Sequence, residues 1–214
     1  MRRMQDTFLN NLTTVVELDG TSVLEIGCGD GAQSTRIATH CKLLVAIDPD
    51  PALIARAAAR GIRNARFLEG TAESLSFLPG SFDVVIFTLS FHHIAQEHMA
   101  SAIDEALLVV HEDGYIVFLE PGINGSFFDT EIQFDACDGD EGEEKNAAFC
   151  AMHGHPGLDL VCELPDETIF QFDSLDDFMR TMKPQKGLDE VEAFLKAHDY
   201  TLNATRRISI FRPS

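Results

Sequence analysis

The stretch LEIGCGDGAQSTR, Leu24 to Arg36, decides how the chain is read. An apolar run ends on glycines at alternate positions, Gly27, Gly29 and Gly31, and a helical pattern follows. Glycine there permits positive φ and lets a ligand lie against the main chain. A helix N-terminus behind the loop offers free N–H groups and the positive end of a dipole, which suit a carboxylate or a phosphate. The loop alone stays ambiguous. Gly27-x-Gly29-x-x-Ala32 also satisfies a dinucleotide fingerprint, and a tight strand-to-helix turn needs no ligand.

Two acids narrow the choice. Glu25 stands two residues before the first glycine, at the end of a buried strand, where an unpaired carboxylate is costly. It repels a pyrophosphate and welcomes an ammonium or sulfonium group. Asp48 closes the next apolar run and is placed to accept both hydroxyls of a ribose. The site therefore calls for a ribose and a positive charge near the glycines.

Outward from the loop, apolar runs and helical stretches alternate. Residues 2–18 carry Phe8, Leu12, Val15 and Val16 at helical spacing, and Thr21–Ile26 reads as a strand. Helix is expected over Ala32–Cys41, Pro51–Arg60 and Gln96–Val110, with strands at Leu43–Ile47, Ala65–Leu68, Phe82–Thr88 and Tyr115–Leu119. Such alternation predicts an α/β fold, a mostly parallel sheet covered on both faces, with ligands beyond the carboxyl ends of its strands. After Glu120-Pro121-Gly122 the rhythm fails, and residues 123–165 read as an insertion rich in Gly, Asp and Glu. A strand at Thr168–Phe172, helices at Leu175–Met182 and Leu188–His198, and a strand at Leu202–Phe211 close a single domain over 1–214.

Thirty-five acidic against sixteen basic residues give a net charge of −19, which argues against nucleic acid and anionic membranes as partners. Five cysteines without a CxxC pair suit reduced thiols, and no apolar run is long enough to span a bilayer, so a cytoplasmic setting is expected. No metal site is expected. Cys137, Cys150, His153, His155 and Cys162 lack structural zinc spacing, and the acidic stretch from Asp135 to Gly142 misplaces the glycine and glutamate of a calcium loop. That stretch reads instead as solvated and mobile. His92 and His93, behind the fourth strand, and Glu120, past the fifth, are the candidates for general base work from position and chemistry. Phe127 and Phe128 either line an acceptor pocket or close a core, the core being preferred.

Glu25-Ile26-Gly27-Cys28-Gly29-Asp30-Gly31 resembles the first motif of class I S-adenosylmethionine-dependent methyltransferases, and later stretches follow in the family's order. Asp48 and Pro49 resemble its ribose and adenine positions, and Gly70-Thr71-Ala72-Glu73 its stretch after the third strand. Phe82–Ile86 and Thr88–His93 resemble the fourth strand and the loop behind it. The likeness runs from about Val23 to Pro121 and is nearest to small-molecule enzymes related to quinone biosynthesis. Where those relatives often carry aspartate against adenine, this chain has Thr71.

The resemblance implies a Rossmann-like three-layer sandwich of seven strands, the C-terminal one antiparallel. It implies methyl transfer from S-adenosyl-L-methionine to a small-molecule acceptor by in-line displacement. Glu25, Gly27, Cys28 and Gly29 would hold the methionine end, completed around Thr88. Asp48 would hold the ribose, and Pro49, Thr71 and Ala72 the adenine. The 123–165 insertion would be the acceptor lid. Two rivals stand beside this: a nicotinamide-dependent oxidoreductase, and a non-catalytic methyltransferase fold that binds cofactor or a partner.

Overall fold

The computed structural model describes all 214 residues. The glycine loop follows β2 (Ser22–Ile26), after β1 (Arg2–Asp6) and α1 (Phe8–Leu12). Then come α2 (Ser34–Ile37), β3 (Leu43–Asp48), α3 (Pro51–Ala59), β4 (Ala65–Glu69) and β5 (Phe82–Thr88). A 3-10 turn at Phe91–His93 leads to α4 (Gln96–Val109) and β6 (Val110–Pro121). The remainder is α5 (Ser126–Phe134), α6 (Gly142–Gly154), β7 (Leu158–Gln171), α7 (Leu175–Met182), α8 (Val191–Ala197) and β8 (Thr201–Pro213).

One sheet holds all the strands in the order β1-β7-β8-β6-β5-β2-β3-β4. From β4 across to β6 every pairing is parallel, whereas β8 runs antiparallel to both of its neighbours. The chain leaves β2 toward β3 on one side and returns to β5 on the other. That makes the β2/β5 boundary the topological switch point, where such sheets open a crevice.

Residues alternate between two faces, each with its own core. Leu24, Val85, Phe87, Ile116 and Phe118 pack with Met99, Ala102 and Ile103 of α4. Val23, Leu44, Val84, Ile86 and Val117 pack with Phe8, Leu12 and Ile37 on the opposite side. A third cluster, built on Phe134, Phe172, Phe178, Val191 and Leu202, seats α7 and α8. Asp50 starts α3 by accepting from the N–H groups of Ala52 and Leu53, with Pro51 at the first helical position.

Three expectations are corrected. The sheet has eight strands rather than seven, because Arg2–Asp6 is not helical but pairs antiparallel with β7. Asp6 anchors that strand through Arg206 (2.7 Å), Arg36 (2.6 Å) and Arg3 (2.9 Å). The anticipated long first helix survives only as α1, and Phe8, Leu12 and Val16 are buried as its spacing implied. Thr13 and Thr14 end it by turning their hydroxyls back to the carbonyls of Leu9 and Asn11. Residues 123–165, read as an insertion where the repeating pattern stops, contain α5, α6 and the first half of β7. The helix expected over Ala32–Cys41 is a single turn of α2 flanked by tighter turns.

Candidate active site

The three glycines serve three purposes. Gly27 has φ +75°, and a Cβ there would collide with the Ser90 side chain, 2.5 Å from its Oγ. Gly31, at φ +80°, lets the loop lie on α3, where a Cβ would sit 2.9 Å from Ala57 Cβ. Gly29, at φ +55°, has nothing within 4 Å of its missing side chain, so it is the glycine that faces open space. The loop's side chain Cys28 is buried beneath it, its thiol pushed up to about 12 by burial and then by the charges of Glu25 and Asp48.

Glu25 is fully buried at the end of β2. Its Oε2 accepts from the Ser34 hydroxyl at 2.5 Å and its Oε1 from the Thr88 hydroxyl at 3.0 Å. Burial raises its pKa from 4.5 to about 7 despite those two bonds, and Asp48 adds to the rise. An acid whose folded pKa lies above its unfolded one retains a proton longer in the folded state. The folded state therefore loses stability as pH climbs from about 4.5 to about 7, and the penalty is complete above that. Glu25→Gln is expected to melt higher than the wild type at pH 8 and no higher at pH 4.5. Parallel thermal scans at the two pH values test this, and an unchanged difference between them would refute it.

Asp48 ends β3 with its carboxylate turned across the glycine loop. Oδ2 accepts from the Gly29 N–H at 2.8 Å and Oδ1 from the Asp50 N–H at 3.0 Å. Each oxygen keeps a lone pair. Pro49 is exposed beside it. Beyond β4, Thr71 is exposed and Ala72 buried, within a tight turn closed by a bridge from Thr71 to Ser74.

The turn behind β5 joins these groups to a second set. Leu89 sits at φ +54°, a conformation unusual for a branched side chain and often found at functional sites. Ser90 then packs on Gly27 and donates to the Ile26 carbonyl at 2.7 Å. Glu120, at the end of β6, accepts from the N–H groups of Phe91 and His92 and from His92 Nδ1 at 2.5 Å. That bond fixes Nδ1 as the protonated nitrogen whenever Glu120 is charged, and leaves the Nε2 lone pair free. Burial works against a charge on His92. The Glu120 hydrogen bond and the charges of Glu120 and Glu141 outweigh it, with Lys145 opposing them, and the pKa lies above 6.5.

His92 and His93 open onto a cavity of about 190 Å³, bounded also by Leu89, Phe127, Phe128, Glu131, Glu141 and Lys145. Glu141 reaches both rings, 3.3 Å from His93 Nδ1 and 3.7 Å from His92 Nε2. Phe127 and Phe128 thus line the cavity, and Phe127 also packs against Phe170 at 5.2 Å between ring centroids. Glu141, Lys145, Ser34 and Ser90 escaped the sequence reading. Ser34 and Ser90 are ordinary loop residues until paired in space. Glu141 and Lys145 do stand four apart, a helical spacing that the surrounding acidic stretch obscures.

Residues 24–118 match the family model described as a methyltransferase domain, Methyltransf_11. Over those residues the chain is similar to a methyltransferase domain, and its α/β sheet is of the Rossmann-like kind seen in solved methyltransferase structures. An uncharacterized methyltransferase of Bacillus pumilus is 26% identical over 178 residues, 82% of each chain. Another, from Bacillus velezensis, is 27% identical over 111 residues, 52% of each. The chain spans about half the length of most of the curated relatives it matches. Among solved structures, YcgJ of Bacillus subtilis superposes with a TM-score of 0.61 at 19% identity, covering 95% of this chain and 97% of its own. The N-methyltransferase NodS of Bradyrhizobium japonicum, in complex with S-adenosyl-L-homocysteine, gives 0.57 at 18% identity over 95% and 81%.

Proposed function

We propose that the protein transfers a methyl group from S-adenosyl-L-methionine to a small-molecule acceptor held in the cavity at His92. One observation carries the reading: the 90–92 turn belongs to two sites at once. Ser90 fills the space that Gly27 leaves free, and two residues on, His92 opens into the cavity. Cofactor loop and acceptor cavity therefore meet across three residues.

The residues fit the cofactor's chemistry. Gly29 leaves its side-chain volume open, and Asp48 offers two lone pairs beside it for ribose hydroxyls. Thr71 and Ala72 stand where adenine would be read, with Pro49 beside Asp48. Glu25 acts from beneath the loop through Ser34 and Thr88, supplying negative charge under the methionine end. The bound cofactor supplies an electrophilic methyl on a sulfonium. The protein's part is alignment, worth roughly 7–11 kcal/mol when two reactants are held in line. His92 Nε2 takes the acceptor's proton, oriented by Glu120, and His93 borders the same cavity. The 123–165 segment supplies α5 and α6 as its wall, the acceptor lid of this reading.

Calorimetry with S-adenosylhomocysteine tests the assignment. The wild type is expected to bind, and Asp48→Ala to bind about 10- to 100-fold more weakly because a charged acceptor of two hydrogen bonds is lost. Equal affinity in both proteins would remove Asp48 from the ribose site, and no binding by the wild type would overturn the reading.

A further inference from the structure

The geometry points to an amine as the methyl acceptor: the cavity beside His92 is built to hold an ammonium group and to remove its proton. This rests on the methyl-transfer reading above.

Glu131, Asp138 and Glu141 line the cavity and Glu120 stands behind His92, while the cations on its walls are Lys145, Arg3 and Arg206. The cavity already shows how it treats an ammonium group. Lys145 Nζ lies 3.3 Å from Glu131 and 3.5 Å from Glu141, with the Phe128 ring 5.4 Å away. Carboxylates over an aromatic face are the surroundings that recognise ammonium cations. The cavity's other cations are occupied elsewhere. Arg206 is paired with Asp6 at 2.7 Å and Asp166 at 2.5 Å, and Arg3 with Asp6 at 2.9 Å. An adjoining cavity of about 510 Å³ is bordered by Asp138, Asp140, Glu141, Glu143 and Glu144, with no lysine or arginine among its walls. The titratable groups that a cation meets from that side are carboxylates and the two histidines.

His92 is an independent pointer. Its side chain is 3% exposed, its Nδ1 is committed to Glu120, and its Nε2 has no hydrogen-bond partner, with Glu141 the nearest charge at 3.7 Å. A nitrogen lone pair on a nearly buried ring, facing the cavity beside the Glu141 carboxylate, asks for a proton donor that carries positive charge. An ammonium meets both demands. It gives one proton to Nε2, and the freed nitrogen lone pair forms the new C–N bond. The electron pair of the broken C–S bond returns to sulfur, leaving a methylated ammonium and S-adenosylhomocysteine. Alcohols and phenols would bring no charge to match the carboxylates, and carboxylic acids would be repelled by them.

The test uses protein saturated with S-adenosylhomocysteine and calorimetry with butylamine and 2-phenylethylamine. The alcohol and the carboxylate of each skeleton are the controls. The amines are expected to bind at least about tenfold more tightly than either control. Glu141→Gln, and separately Asp138→Asn at an exposed position, should each weaken amine binding by about tenfold while leaving S-adenosylhomocysteine affinity intact. With S-adenosylmethionine, formation of S-adenosylhomocysteine should follow the same ranking of acceptors. An alcohol or carboxylate that binds as well as its amine would overturn the inference. So would amine affinity unchanged in both variants, or amines that fail to bind the loaded protein. Failure of S-adenosylhomocysteine to bind at all would overturn the methyl-transfer reading together with it.

Discussion

Gly27→Ala is expected to abolish cofactor binding and to lower the melting temperature by about 10 °C. Two costs combine at this position. A side chain at φ +75° carries roughly 1–2 kcal/mol of backbone strain. The added methyl also strikes the Ser90 side chain, and only a shift of the 90–92 turn relieves that contact. Moving Ser90 breaks its bond to the Ile26 carbonyl and drags Thr88, a partner of buried Glu25, with it. About 3–5 kcal/mol in total corresponds to roughly 6–20 °C for a domain of this size. Gly29→Ala is the informative contrast. It has the unfavourable φ but no collision, so it should melt within about 5 °C of the wild type while still losing S-adenosylhomocysteine affinity. Differential scanning fluorimetry and calorimetry on the pair separate the two roles. Equal melting temperatures for both variants would show that the contact with Ser90 does not matter.

His92→Ala should reduce kcat for the acceptor by about 10²-fold or more, the usual contribution of a positioned general base. S-adenosylhomocysteine affinity should change little, since the ring touches the cavity rather than the glycine loop. The pH profile carries the sharper signature. His92 must be neutral at Nε2 to accept a proton, so the rate falls on the acid side of its pKa. Glu120, Glu141, Lys145 and His93 surround it, and the net effect places that limb above 6.5. Glu120→Gln removes the strongest support for the charged ring and should move the limb toward lower pH. It should also depress kcat, because the turn loses the carboxylate that accepts from the Phe91 and His92 N–H groups. A limb that stays in place in Glu120→Gln would disqualify the His92–Glu120 pair as the titrating unit.

Features encoded locally could be read from the sequence. The glycine loop, Glu25 and Asp48 lie at the ends of adjacent parallel strands, and strand-end position follows from apolar runs alone. The cavity's acidic wall could not be read that way. Glu141 and Lys145 belong to a stretch of Asp, Glu and Gly that looks solvated, and they are withdrawn from water only because α6 packs on α4 and on the 91–93 turn. Burial there comes from contacts some fifty residues away in sequence. The eighth strand was hidden for a related reason. Arg2–Asp6 has no apolar alternation, and its place at the sheet edge depends on Arg36 and Arg206 meeting Asp6. Long-range ion pairs leave no period in a sequence.

The contact of Ser90 with Gly27 has a thermodynamic consequence. Because the serine fills the glycine's missing side chain, the cofactor loop and the floor of the cavity cannot shift independently. A ligand that fixes one of them lowers the ordering cost for a ligand at the other. Binding free energies obey reciprocity, so whatever factor the cofactor adds to acceptor affinity, the acceptor must return to cofactor affinity. Measured in either direction, that single factor reports how rigidly one serine and one glycine join the two halves of the site.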